Sequence, residues 1–295
     1  MQTANRYDRD YRRFFEDNEF AQMDIRKADA KYIRNWCKSL VTENKLTSKA
    51  WMNVHGLIRG TFLYAIEQEL TDFSISSCLA DLKLNFAPQK KDLPGYDETQ
   101  VYTDDEVKKI VEQMQGTIID DGIKLVPMTG LRVGELSSLK WEDVAEDFGS
   151  LTVQRTEIKF EEDGQQIIKV RKKTKGRYQY RTVILTDEAS ELLKTLKATS
   201  EATTGYIFER DGERVKNHNF PRRLETLCRR AGIQYRSMHK LRKTCISKLI
   251  DSGLSHPAIQ AQVGHTDFRT TESFYHFNRA EMNETRETMN RSLAI

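Results

Sequence analysis

The sequence predicts a mainly α-helical protein with a small antiparallel β-sheet, built as an N-terminal helical bundle followed by a mixed α+β domain. Three observations carry this. Apolar residues recur at helical spacing up to about residue 84, with no strand-like alternation among them. Ala87-Pro-Gln-Lys-Lys-Asp-Leu-Pro-Gly-Tyr96, with two prolines and a glycine, then interrupts the pattern. Beyond it, alternating segments at 151–158, 167–170 and 183–185 lie between stretches of helical periodicity. The chain has 295 residues, enough for two cores, since domains usually run to about 100–200 residues.

The first domain is placed at 1–87. Tyr7, Tyr11, Phe14 and Phe15 form an aromatic stripe interleaved with Arg6, Arg9, Arg12 and Arg13, and such a stripe belongs in a core. Asp29 is positioned to cap a second helix carrying Tyr32, Ile33, Trp36 and Leu40 on one face. A third helix from Ser48 carries Trp51, Val54, Ile58, Phe62, Ala65 and Ile66. Together they make a bundle of about four helices whose polar faces hold Lys45, Lys49 and Arg59. The bundle offers no nucleophile set, so its role is to grip.

A linker at 88–102 ends at Thr103-Asp-Asp-Glu106, a capping-box pattern that opens helix 104–115 and a second domain at 103–279. A short apolar segment, 123–126, leads to Thr129-Gly130, whose glycine permits a sharp turn into another helix. Arg132 falls in that helix's first turn, where free backbone N–H groups favour an anion. Glu135 is placed to hold a neighbouring guanidinium or to cap the helix start. Glu162-Asp-Gly164 is a turn between the first two strands. The hairpin 172–181, with Lys173, Lys175, Arg177 and Arg181, has a basic, aromatic tip suited to lie along a polyanion backbone.

Helices resume at 187–198 and 217–231. In Met238-His-Lys-Leu-Arg-Lys-Thr244 the apolar spacing of Leu241, Ile246, Leu249 and Ile250 predicts a helix, with His239 and Arg242 on one face. Ser255-His-Pro257 starts the next helix, Gly264 stops it, and Thr266-Asp267 opens one carrying Phe274 and Tyr275. The last segment, 280–295, has an amphipathic stripe that must dock on its own domain or on a neighbouring copy.

The balance of 47 Lys+Arg against 44 Asp+Glu leaves a net charge of only +3. Basic runs at 171–177, 221–223 and 229–230 nonetheless fit a polyanion bound along one face. Taken singly, each such run is solvated surface. Cys37, Cys78, Cys228 and Cys245 show neither metal-ligand spacing nor a disulfide rhythm, and read as buried thiols in a reducing compartment. No apolar run approaches the roughly 20 residues of a membrane span, so the expected location is the cytoplasm, with the DNA.

Two arginines, two histidines and a tyrosine can thus converge on one phosphodiester. Guanidinium groups neutralise the non-bridging oxygens in a fork that lysine cannot copy. A tyrosine hydroxyl becomes a nucleophile once its proton is removed, histidine can take that proton, and lysine can protonate a leaving sugar oxygen. Nothing in the set calls for a metal or another cofactor.

These residues resemble the tyrosine recombinases, the phage and conjugative-transposon integrases. The resemblance rests on Thr129-Gly-Leu-Arg132-Val-Gly-Glu135-Leu, Lys173-Thr174 before Arg181-Thr-Val-Ile-Leu185, His239-Lys-Leu-Arg242, Gly264-His265, and Tyr275 followed by His276. It implies a SAM-like core-site DNA-binding domain and a tyrosine-recombinase catalytic domain. Arg132 and Arg242 would bind the scissile phosphate, Lys173 would be the general acid, and His239 and His265 would assist, with Glu135 in support. Tyr275 would form a 3′-phosphotyrosyl link to DNA. Lys175 is the other general-acid candidate. Arg59, Lys45, Lys49, Arg177, Arg181 and Lys243 are the DNA-binding candidates. The hairpin is longer than is usual in the family, and Ile184 stands where proline is common.

The implied partners are double-stranded DNA attachment sites, a homo-tetramer on DNA, and accessory directionality or bending factors, without membrane or ATP. Integrases of this subgroup usually carry an additional N-terminal arm-binding domain. This chain starts at the bundle, as expected of a simple recombinase or a trimmed one. Two rival readings are a type IB topoisomerase, sharing the chemistry, and a sequence-specific DNA-binding protein that does not cut.

Overall fold

A computed structural model describes residues 2–89, 101–162, 164–172 and 180–264. The chain divides into two compact units: Met1–Tyr96 with Lys159–Ile167, and Asp97–Ile158 with Ile168–Ile295.

The first unit contains helices α1 (Gln2–Phe14), α2 (Ala30–Glu43), α3 (Ser48–Glu67) and α4 (Ile75–Leu79). Asp29 caps α2 by accepting the Tyr32 N–H at 2.7 Å, and Thr47 caps α3 through the Ala50 N–H. The core gathers Phe14, Phe15, Phe20, Ile33, Cys37, Trp51, Val54, Ile58 and Phe62. Phe20 stacks on Trp36 with ring centroids 3.8 Å apart. The aromatic stripe is split: Phe14 and Phe15 are core, whereas Tyr11 is exposed, as is Ile66 in the last turn of α3. Lys45, Lys49 and Arg59 lie on the surface of this unit.

In the second unit, α5 (Asp104–Glu112) opens with the expected Thr103/Glu106 capping box. It stops short of residue 115, because Gly116 takes a positive φ and Thr117 already caps the next helix. That helix, α6 (Ile118–Thr129), absorbs the apolar run at 123–126 as its buried interior. Gly122, Ile123, Leu125 and Val126 are all covered, and so short an apolar run carries too little of a period to tell a buried helix from a strand. One turn of helix follows, α7 (Val133–Leu136).

Among the described residues, the small antiparallel sheet expected from the sequence takes the form of three two-stranded ribbons. Strand β1 (Ser150–Val153) pairs antiparallel with β4 (Arg181–Ile184), Leu151 opposite Val183; β2 (Arg155–Glu162) pairs with β3 (Gln165–Lys172), so the stretch 172–181 leads from one ribbon to another and is not the hairpin between paired strands expected from the sequence. The third ribbon, β5 (Glu209–Arg210) with β6 (Glu213–Arg214), turns on Asp211-Gly212, both at positive φ.

Helices α8 (Asp187–Thr199), α9 (Asn219–Arg230), α10 (Met238–Asp251) and α11 (His256–Val263) complete the unit. Helix α6 packs on α8, α9 and α10 at the centre of the core. Tyr102, placed in the linker by the sequence reading, is core: it is fully buried, its N–H donates to Thr244 Oγ1 at 2.8 Å, and its hydroxyl engages the backbone of Arg236. Residues 90–100 and the tail 280–295 lie outside the described residues.

The four cysteines are free and buried. Among the described residues, no helix is long and apolar enough to cross a membrane, and no three His, Cys, Asp or Glu side chains form a metal cluster.

Candidate active site

The site begins where α6 ends. Gly130 terminates α6 in the left-handed conformation, φ 67°, with its N–H on the Val126 carbonyl. Two residues on, Arg132 is the extended residue before α7 rather than a member of its first turn. The short α7 offers its N–H groups less freely than expected, because the Arg132 N–H donates to Glu135 Oε2 at 3.0 Å. Gly134 is required here for a steric reason: a Cβ would stand 2.8 Å from Thr156 Oγ1 and 2.9 Å from the Glu157 carbonyl oxygen. Helix α7 is thus laid backbone to backbone on β2.

Glu135 does both things expected of it. It is 2 % exposed, caps the start of α7, and holds two guanidinium groups. Arg132 Nη1 donates to its Oε1 at 3.1 Å, while Arg181 Nη1 and Nη2 donate to Oε1 and Oε2 at 2.8 and 2.7 Å. The Arg132 side chain remains 43 % exposed, whereas that of Arg181 is 9 % exposed. Arg181 therefore does not fit the surface DNA contact proposed from its place on a basic hairpin; it points inward because a buried carboxylate waits there.

Helix α11 supplies the opposite wall. Its C-terminal carbonyls, left unsatisfied by helix geometry and at the negative end of the dipole, are natural acceptors for cations. Three arginines use three consecutive ones: Arg181 Nε donates to the Gln262 carbonyl at 3.0 Å, Arg242 Nη2 to Val263 at 2.8 Å, and Arg132 Nη2 to Gly264 at 3.3 Å. Gly264 ends α11 with φ 68°, and a Cβ on it would meet the Arg181 side chain at 2.8 Å. The Gln262 side chain adds a strand-like pair, accepting from the Ile184 N–H and donating to the Ile184 carbonyl at 2.9 and 3.0 Å.

Helix α10 carries the rest. Arg242 is fully buried; its Nη1 donates to the Gly130 carbonyl, so it ties the end of α6 to the end of α11. His239 keeps an edge open to solvent yet sits in crowded, cationic surroundings. Lost hydration first, then the charges of Arg242, Lys243, Lys240 and Arg132, pull its imidazolium down to about 4. Arg132 before α7 and Arg242 of α10 donate to neighbouring carbonyls at the end of α11, which places α7 and α10 around one volume. Lys243, expected to contact DNA, is 6 % exposed, and burial followed by the charge of Lys240 lowers its ammonium to about 8.

Arg132, Glu135, His239 and Arg242 are thus brought together. Lys173, Lys175, Arg177, His265 and Tyr275 lie outside the described residues. Gly134, Gln262 and the inward role of Arg181 escaped the sequence reading. The second glycine of Thr129-Gly-Leu-Arg-Val-Gly was the one available sign, of a close backbone approach.

Residues 100–281 match the phage integrase family. The chain is 26 % identical to a tyrosine recombinase XerC-like protein of Caldanaerobacter subterraneus subsp. tengcongensis, over 98 % of this chain and 77 % of that one. It is 24 % identical to the ICEBs1 integrase of Bacillus subtilis, over 87 % and 68 %. Among solved structures, the Tn1549 transposon integrase in complex with a circular intermediate DNA superposes with a TM-score of 0.66 at 16 % identity, covering 98 % of this chain and 99 % of that one.

Proposed function

The chain belongs to the phage integrase family and is a tyrosine-type site-specific recombinase, and on that premise we propose that the arginine-lined volume between α7, α10 and α11 is where it holds the scissile phosphodiester. Arg132, half exposed and aimed by Glu135, binds one non-bridging oxygen. Arg242, its plane set by the Gly130 and Val263 carbonyls, supports the other side, so that charge developing in the transition state meets preorganised donors. Tyr275 attacks the phosphorus to form a 3′-phosphotyrosyl link and release a 5′-hydroxyl, and the reverse attack by a new 5′-hydroxyl rejoins the strands. Lys173, or Lys175 two residues on, protonates the leaving oxygen. His239, neutral at neutral pH in the free protein, and His265 exchange protons beside it.

The partners follow: double-stranded DNA attachment sites, gripped also by Lys45, Lys49 and Arg59 of the first unit and by Arg177 of the basic run, with four copies on two duplexes. Accessory bending or directionality factors act on that assembly. The cell compartment that holds such DNA is the cytoplasm.

One observation carries this reading: Arg132 and Arg242, far apart along the chain, donate to adjacent carbonyls of the same helix end. The test is covalent trapping on a nicked duplex bearing a site that the full chain has selected from randomised DNA. The parent protein yields a protein–DNA adduct, and Tyr275→Phe yields none while retaining binding. A parent that binds its selected site but never forms the adduct defeats the proposal.

A further inference from the structure

We propose that Arg181 is a positioning residue for strand cleavage: by occupying Glu135, it keeps Arg132 available to the phosphate. The proposal rests on the reading of Arg132 given above. All three guanidinium nitrogens of Arg181 point inward, two to Glu135 and one to the Gln262 carbonyl. With its side chain 9 % exposed, it cannot reach DNA without giving up these bonds.

The two arginines share both anchors. Glu135 accepts from Arg132 and from Arg181, and the same helix end accepts Arg181 at Gln262 and Arg132 at Gly264. The carboxylate is divided unequally. Arg181 takes it in a two-pronged grip at 2.7 and 2.8 Å, leaving the Arg132 guanidinium one longer bond at 3.1 Å. Forked arginine–carboxylate pairs are the stronger kind.

Charge makes the division matter. One carboxylate between two guanidinium groups leaves a net single positive charge, which complements a phosphodiester. Without Arg181, Glu135 and Arg132 close into a neutral pair, and the phosphate must compete with a buried carboxylate for the same donor. Removing the Glu135 charge as well restores the net positive charge. A pair that only props up the fold is also relieved when its second charge goes, but that relief appears in the urea midpoint; a positioning role requires cleavage to recover by more than the recovered stability explains.

The experiment measures single-turnover adduct formation on the selected, nicked duplex, together with binding to the intact site and urea unfolding, in the full chain. Arg181→Met keeps the stem that packs against Gly264 and removes the charge. Its cleavage falls by about 100-fold, while the dissociation constant for the site, spread over many phosphates, changes by less than about threefold. Arg181→Met with Glu135→Gln recovers about tenfold of that loss. Arg181→Lys, which leaves Glu135 compensated but not forked, stays within about tenfold of the parent.

Cleavage by Arg181→Met at the parent rate overturns the inference, and so does a double variant slower than Arg181→Met. Should Arg181→Met fail to fold, Arg181→Lys decides, and a lysine variant slower than tenfold below the parent overturns it. Arg132→Ala separates the two readings. If it cleaves normally, the assignment of Arg132 itself is wrong; if it is inactive while Arg181→Met is fully active, only the role of Arg181 falls.

Discussion

Gly134→Ala is the smallest change that reaches the site through the fold. The added methyl would lie 2.8 Å from Thr156 Oγ1 and 2.9 Å from the Glu157 carbonyl oxygen, where carbon and oxygen are comfortable at roughly 3.4 Å. Helix α7 and strand β2 must therefore separate by about half an ångström. The strand side cannot yield easily. Glu157 is anchored through its carboxylate, which accepts from Arg214, from Ser137 Oγ at 3.4 Å and from the Asn217 N–H at 3.2 Å. The shift falls on α7, whose leading residue is Arg132.

Overpacking of this kind costs about 1–3 kcal/mol, and the lower unfolded-state entropy of alanine offsets roughly 0.4–1 kcal/mol. A net loss of about 1–2 kcal/mol lowers the urea midpoint by about 0.5–1 M for a slope near 2 kcal/mol/M. Displacing a phosphate-binding arginine by that distance lowers single-turnover cleavage by about 10–100-fold. Urea denaturation followed by tryptophan fluorescence, with adduct formation on the same preparation, measures both. A variant within about 0.5 kcal/mol of the parent that cleaves normally would refute the steric reasoning and the coupling of α7 to the site.

Tyr102→Phe strips the hydroxyl that bonds the Arg236 backbone, leaving buried polar groups unpaired; urea unfolding should register a loss of about 1–3 kcal/mol, and an unchanged midpoint would contradict it. His239, depressed to about 4 by its cationic surroundings, regains basicity when a phosphate anion offsets those charges. Binding then takes up a proton, so affinity rises as pH falls from 7 to 5 at fixed ionic strength, more steeply in the parent than in His239→Gln; equal slopes would speak against histidine facing the phosphate. Lys243, lowered to about 8, sheds its proton in the folded state first. Between pH 8 and about 10.4 the unfolded chain holds more protons, so Lys243 contributes stability that rises with pH across that window, by at most about 3 kcal/mol. Lys243→Met should flatten the slope, and a slope identical to the parent's would show the group titrates normally.

What the sequence disclosed follows the range of each interaction. Asp29, the Thr103/Glu106 box, the turn at Gly130 and the stop at Gly264 are satisfied within a few residues, so local sequence located them. Glu135 lies between: its cap on Arg132 is local, and only its second guest, Arg181, comes from 46 residues away. Arg181 and Arg223 read as surface cations because their carboxylates lie far along the chain. Arg223 counted as a basic surface run, yet it grips Asp120, 1 % exposed, at 2.7 and 2.9 Å, and Arg214 likewise reaches the buried Glu157. A charge on a sequence has no inside or outside until a fold supplies the counter-charge.

That same distinction explains how a near-neutral chain can present a cationic site. Buried carboxylates at Asp120, Glu135, Asp143 and Glu157 each hold at least one arginine, and removing one partner of such a pair is far more costly than never having built it. Most of these pairs cancel and serve packing alone. Among the described residues, Glu135 holds two guanidinium groups on one carboxylate, and the helix end that takes up their other donors offers carbonyl dipoles rather than a second full charge. The surplus positive charge is therefore most open to solvent at Arg132, the half-exposed member of the set. An anion entering there meets donors already oriented, and what would weaken it is any substitution that restores one-to-one pairing at Glu135.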